Sequence, residues 1–155
     1  MLGSDHPDSL TTRANLAYWR GKGEDPAGAV VATTELLADR LRVLGPDHLD
    51  TLTTRHNLAQ WRAETGDAAG AVVAESELLA DRLRVLGPKH PHTFSARHHL
   101  AHWTGRAGDP ARAAAALAQL LADQLSVLGP QHPETRATED SLAFWSVGAE
   151  RRHST

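Results

Sequence analysis

The feature that most constrains this chain is an internal repeat of 42 residues. Four tryptophans keep this spacing: Trp19, Trp61, Trp103 and Trp145. Four histidines keep it as well: His6, His48, His90 and His132. Residues 2–43 and 44–85 are identical at most positions, residues 86–127 have diverged further, and residues 128–155 are a partial copy. A fixed period of this length indicates stacked supersecondary units, each covered by its neighbours.

Each repeat has the start and stop signals of two helices. The first helix follows His6-Pro7 and the second opens with Asp25-Pro26, because proline suits the first helical position and aspartate caps a helix. Apolar residues of the second helix recur at three-to-four spacing, until Gly45-Pro46 ends it. The pattern predicts seven helices and no strand: three helix pairs and a terminal helix over about 134–149.

Neither helix of a pair can bury its apolar face alone, so we expect the pairs to stack. The predicted fold is an all-α solenoid, a right-handed superhelix with the first helices inside the curve. The prediction is one domain over residues 1–155, with the following parts: repeats 2–43, 44–85 and 86–127, a partial repeat and capping helix over 128–150, and a frayed tail over 151–155.

The two ends of the array differ in polarity. Where the first repeat has Leu10 and Arg13, the terminal helix has Arg136 and Glu139, as an array needs where its stacking stops. The start at Met1-Leu2 has no comparable cap. This asymmetry predicts either a segment of a longer array or a face that pairs with another chain.

The composition excludes several classes of function. The absence of cysteine removes disulfides, thiolate metal sites and thiol nucleophiles. A net charge of −3 argues against a nucleic-acid binder, and the apolar runs are far shorter than the roughly 18 residues of a membrane span. Phosphate-binding loops, nucleophile elbows and zinc-protease motifs are absent, so we expect no enzyme and no cofactor. The polar N-terminus, residues 1–10, lacks the basic and then apolar layout of a signal peptide, so we expect a cytoplasmic protein.

The repeat resembles the tetratricopeptide repeat. The resemblance is carried by Asn-Leu-Ala at 15–17 and 57–59 and by the recurring alanine series Ala29, Ala71 and Ala113. The repeat length and the linker Leu-Gly-Pro-x-His-Pro-x-Thr, at 86–93 and 128–135, resemble the kinesin-light-chain-like subclass. Similar arrays occur in actinobacterial proteins, often attached to signalling ATPases of the NB-ARC type. The resemblance implies a bacterial, non-catalytic scaffold for a protein or peptide.

The resemblance also implies that ligands lie against the first helices. A stripe at helical spacing stays on one side of each first helix after the apolar positions are assigned to the core. The ligand-groove candidates on this stripe are Thr11, Asn15, Tyr18, Lys22, Thr53, His56, Asn57, Gln60, Glu64, His98, His99, His102, Arg106 and Phe144. Asn15 and Asn57 match a family asparagine that often bonds a ligand backbone. The alternative is that these amides cap or bridge neighbouring helices.

The third repeat concentrates His98, His99, His102 and Arg106 on one side of its first helix. One interpretation is a patch for an acidic ligand, in which Arg106 binds a carboxylate and the histidines add charge at low pH. A weaker alternative is a metal site formed by His98 and His102, with His56 as a third ligand. The simplest interpretation is a solvated helix face, and we predict no metal.

Two further series have structural interpretations. The four histidines precede helix starts and are predicted to cap them, whereas the four tryptophans are predicted to lie in the core. The predicted function is therefore binding of a peptide or protein segment in the groove of the first helices. The alternatives are an array that self-associates end to end through its uncapped first repeat, or a sensor or spacer segment of a larger signalling protein.

Overall fold

A computed structural model describes residues 3–153, and this part of the chain contains seven α-helices and no strand. The helices are α1 (Pro7–Lys22), α2 (Pro26–Leu44), α3 (Leu49–Glu64), α4 (Ala68–Leu86), α5 (Pro91–Arg106), α6 (Pro110–Val127) and α7 (Pro133–His153). The predicted all-α class is confirmed, with consecutive helices packed in pairs. Met1, Leu2 of the first predicted repeat, and residues 154–155 of the predicted tail lie outside the described residues.

Side-chain caps begin the helices as the sequence predicts. Nδ1 of His6, His48, His90 and His132 accepts the backbone N–H two residues further on, at 3.2 Å in each case. The carboxylates of Asp25, Asp67 and Asp109 accept an N–H three residues further on, at 2.8–3.0 Å. These bonds satisfy backbone donors that have no partner within the helix. The structural interpretation of the repeated histidines is confirmed.

The second helices end at glycines that adopt a left-handed backbone. Gly45, Gly87 and Gly129 have φ between 85° and 86°, a region that favours glycine, and each is followed by proline. The chain therefore leaves the second helix and enters the next first helix at the same point of every repeat. The glycine–proline pairs therefore maintain the predicted 42-residue spacing between successive helix pairs.

The terminal helix is longer than predicted. α7 begins at Pro133 and continues to His153, so residues 151–153 are helical and do not belong to a frayed tail. A tertiary contact explains the extension, because Arg152 donates a hydrogen bond from Nη1 to the carbonyl oxygen of Gly108. This bond holds the last turn of α7 against the α5–α6 connection.

Residues 3–74 and 75–153 form two compact units, with the boundary inside α4. In the first unit α2 packs on both α1 and α3, and in the second α6 packs on both α5 and α7. The core of the second unit contains Phe94, Ala101, Leu117 and Leu120. The single domain over residues 1–155 and its superhelical curvature stay predictions.

The repeated tryptophans do not share one environment. Trp61 and Trp103 are buried as predicted, but Trp19 is 69% exposed, so the prediction of a core position is wrong there. Trp61 lies over Gly21 of α1, so closely that a Cβ on that glycine would be 2.7 Å from the indole ring. Trp145 lies over Gly105 in the same way. Within the described residues no helix precedes α1, and Trp19 is therefore not covered.

Candidate functional site

Predicted groove residues meet in a cavity of the first unit. This cavity of about 340 Å³ is lined by Gly21, Lys22, Glu24, Pro26, Gln60, Trp61 and Glu64. Three of the ligand-groove candidates, Lys22, Gln60 and Glu64, are therefore brought together from α1 and α3. They supply a cation, an amide and a carboxylate within one concave surface.

An aromatic wall adjoins this cavity. The Tyr18 ring lies 5.9 Å from the Trp61 ring between centroids, and the Lys22 ammonium lies 5.7 Å from the centroid of Tyr18. A cation at this distance from a ring face is attracted by the π electrons. The ammonium of Lys22 therefore lies over the Tyr18 ring, which is itself partly exposed.

The remaining candidates of the first unit do not line the cavity. Thr11 and Asn15 are exposed on α1, whereas Thr53, His56 and Asn57 are partly buried on α3. The equivalent asparagines Asn15 and Asn57 therefore differ in exposure. Their roles in ligand binding stay predictions.

A second cavity lies in the second unit, between α5, α6 and α7. Its volume is about 250 Å³, and it is lined by Phe94, Ser95, His98, His99, Gln124, Glu134 and Ala137. His98 and His99 were predicted as groove residues. Gln124 and Glu134 were not, although they contribute two polar side chains with buried oxygen atoms to the wall.

His98 is held between α5 and α7 by two hydroxyl groups. Its Nδ1 lies 3.3 Å from Thr138 Oγ1, and its Nε2 lies 3.1 Å from Ser141 Oγ. Because Thr138 donates its own proton to the carbonyl oxygen of Glu134, Nδ1 of His98 is the donor and Nε2 accepts from Ser141. Burial lowers the pKa of His98 below 6.5, and this arrangement suits the neutral ring.

The other members of the predicted patch have separate partners. His99 donates from Nδ1 to the carbonyl oxygen of Ser95 at 2.7 Å. His102 packs edge-on against the indole of Trp145, with 5.8 Å between centroids, and the guanidinium of Arg106 lies 5.4 Å from the Trp103 ring. Phe144 is exposed beside Trp145. His102 and Arg106 therefore each lie close to a tryptophan ring of the second unit.

These contacts bear on the alternatives for the His-rich patch. Both ring nitrogens of His98 face hydroxyl groups, which disfavours a metal shared between His98 and His102. In residues 3–153, no three His, Asp or Glu side chains are placed to hold a metal ion. The lowered pKa of His98 also reduces the charge that it could offer an acidic ligand near neutral pH.

One series of buried residues escaped the sequence analysis. Arg40 and Arg82 are buried in their second helices, and the same position of the third repeat is Gln124. Arg40 donates to the Asp50 carbonyl oxygen at 3.0 Å, and Arg82 donates to the His92 carbonyl oxygen at 2.9 Å. The 42-residue spacing of Arg40, Arg82 and Gln124 is the sequence signal that could have revealed this series. The change from arginine to glutamine shows that the contact of α6 with the next helix differs from those of α2 and α4.

Seven helices in consecutive pairs along residues 3–153, with caps repeated at a fixed spacing, define an α-helical repeat protein. The tetratricopeptide repeat model matches residues 51–92 and 93–134, more than half of the sequence. The chain belongs to the tetratricopeptide repeat family. The matched segments have the predicted repeat length, and their frame begins seven residues after the predicted one. None of the described helices has the length and apolar character needed to cross a membrane.

Solved structures with kinesin-light-chain-like repeats are similar to this chain. Two structures of a Podosopora anserina protein, described as a putative kinesin light chain with nearly identical TPR-like repeats, match at 25% identity. The structure of a point variant has a TM-score of 0.81 and the other 0.79, and each match covers 99% of this chain and 73% of that one. BtubC (BKLC) from P. vanneervenii matches at 18% identity with a TM-score of 0.81, over 94% of this chain and 58% of that one. A search of curated proteins found no match to the sequence.

Proposed function

We propose that this chain is a non-catalytic scaffold that binds a protein segment through the side chains of its first helices. The observation that carries this proposal is the gathering of Lys22, Gln60 and Glu64 around one cavity of the first unit. Tetratricopeptide repeats generally mediate protein–protein interactions and are typically non-catalytic, which supports the proposal at the level of the family.

The chemistry of this cavity suits a polypeptide. Lys22 donates hydrogen bonds, Glu64 accepts them, and the amide of Gln60 does both, as a peptide backbone requires. The rings of Tyr18 and Trp61 add an apolar wall against which a side chain packs. Binding at a single such site is weak, because the entropy lost in ordering the segment offsets much of the interaction energy. Engagement of several repeats raises the affinity.

A peptide display selection tests the proposal. A random library is selected against the wild-type chain and against the double variant Lys22→Ala, Gln60→Ala, after circular dichroism shows that both are folded. We expect a sequence motif on the wild type that is lost on the variant. The matched control is Val31→Ala with Val73→Ala, two exposed changes on second helices. The proposal is wrong if no motif emerges, or if the first-helix variant selects the wild-type motif.

Self-association is a second candidate, favoured by the exposed apolar face of α1. Leu16 is 70% exposed and Trp19 is 69% exposed, and large apolar groups placed together at a surface are typical of interfaces. We propose that a second copy covers them. Sedimentation equilibrium at high concentration should then show an oligomer that Trp19→Glu disrupts and Phe144→Glu, at another exposed aromatic residue, leaves intact. A strict monomer would contradict this candidate.

A further inference from the structure

The cavity between α5, α6 and α7 lies where other repeats place a guanidinium group. In the first unit, Arg40 of α2 is 5% exposed and bonds both the Asp50 carbonyl oxygen and Thr54 Oγ1 of α3. In the second unit, Arg82 of α4 bonds the carbonyl oxygen of His92 in α5. Gln124 occupies the same position of α6, at the cavity that α6 forms with α7. Its shorter side chain ends in an amide and has no guanidinium group.

The wall of this cavity has acceptors without donors. Gln124 is 1% exposed and its Oε1 accepts no hydrogen bond. Oε2 of Glu134 is also buried without a hydrogen-bond partner. Both atoms belong to residues that line the 250 Å³ cavity. A buried oxygen that lacks a donor is costly, and a buried carboxylate is best satisfied by a cation that also donates hydrogen bonds.

We propose that the cavity lined by Gln124 and Glu134 is a binding site for a guanidinium group supplied by another molecule. The planar guanidinium has five N–H donors in a rigid fork, so it can reach two separate oxygens at once, whereas an ammonium is a compact point charge. Ala137 is exposed at the cavity wall and gives the group an entrance from solvent. The external guanidinium group occupies the place that the side chains of Arg40 and Arg82 occupy in the other repeats.

The neighbouring groups of the wall are compatible with a cation. His98 of α5 lines the cavity, and both of its ring nitrogens contact hydroxyls of α7. Burial lowers its pKa, so the ring is neutral at neutral pH and does not repel a guanidinium. His99 uses its Nδ1 on the carbonyl oxygen of Ser95. The charge of Glu134 therefore faces the cavity without a cationic competitor among these histidines.

The test is an NMR titration of the full chain with Nα-acetyl-arginine methylamide. We expect saturable shifts of the backbone amides of Ser95 and Ala137. The same titration with Nα-acetyl-lysine methylamide should show at least about tenfold weaker binding, because the fork geometry is missing. Shifts that do not saturate, or equal binding of the lysine compound, would overturn the proposal.

Two variants test the assigned residues. Gln124→Arg restores the internal guanidinium and should abolish binding, whereas Gln119→Arg, an exposed change on the same helix, should preserve it. Glu134→Gln removes the charge and should weaken binding at least about tenfold, whereas Glu139→Gln, exposed on α7, should not. Wild-type binding by Gln124→Arg, or by Glu134→Gln if the first variant does not fold, would contradict the assignment.

A further titration distinguishes the source of the group. Free arginine keeps its charged amino and carboxyl groups, whereas the capped compound resembles a residue within a polypeptide. Tighter binding of the capped compound assigns the site to an arginine of a partner protein, and tighter binding of free arginine assigns it to a small molecule. Both results support the guanidinium site. Its test is independent of the proposed peptide groove, because the library experiment uses variants of the other unit.

Discussion

α1 and α3 have similar sequences but different environments. Leu16 and Trp19 of α1 are 70% and 69% exposed, whereas their equivalents Leu58 and Trp61 of α3 are 7% and 2% exposed. α3 is covered by α2 and touches α1, and Gly21 of α1 gives the Trp61 ring space to approach. The same residue is therefore a core residue in one repeat and a surface residue in another. Burial in a repeat protein depends on the neighbour that covers the residue.

The largest expected effect separates the two tryptophans directly. Trp61→Ala should lower the free energy of unfolding by about 3–5 kcal/mol, because it removes a buried indole and leaves a cavity. Trp19→Ala should change it by less than about 0.5 kcal/mol in the monomer, because the ring is exposed. Urea denaturation of both variants measures the difference. Equal losses would show that Trp19 is covered in solution.

The second prediction concerns the contact between α2 and α3, where Arg40 bonds Asp50 and Thr54. Arg40→Ala should lower the free energy of unfolding by about 2 kcal/mol, since the variant loses packed volume and the hydrogen bonds to Asp50 and Thr54. The matched control is Arg42→Ala on the same helix, where the side chain is exposed and pairs with Asp5 and Asp39. Chemical denaturation of the control should show a much smaller change. If the two variants lose equal stability, Arg40 does not hold α3.

The third prediction tests Gly105 of α5, which lies against the Trp145 ring of α7. Gly105→Ala should destabilise the protein by about 1 kcal/mol, because the new Cβ would lie 2.6 Å from the Trp145 ring. Gly148→Ala is the control within α7, where the nearest atom is an ordinary 3.5 Å from the Cβ position. It should stabilise the protein by about 0.5–1 kcal/mol through helix propensity. Thermal unfolding should therefore shift in opposite directions, and a common sign would contradict the packing argument.

The sequence predicts what short-range chemistry determines. His6 and Asp25 cap helices within three residues of themselves, and Gly45 ends a helix by its own backbone conformation, so these features follow from local sequence. The exposure of Trp19 depends on whether a further helix covers it, which no local pattern encodes. Helical spacing was enough to predict that Lys22 of α1 and Gln60 of α3 lie on the candidate groove side of their helices, and both line the same cavity. The Gln124 cavity could be recognised only once Arg40 and Arg82 were seen to be buried.

The smallest expected effect is a pH dependence at the contact between α5 and α7. Burial lowers the pKa of His98 in the folded chain, with the charge of Glu134 opposing this shift in part. The unfolded chain therefore binds the proton first, so the free energy of unfolding should decrease as the pH falls below 6.5 and through the folded-state pKa. Urea denaturation between about pH 7.5 and about pH 5 measures this slope. His98→Gln cannot titrate there and should therefore have a shallower slope than the wild type. An unchanged slope in His98→Gln would mean that the α5–α7 contact does not sense protonation of this ring.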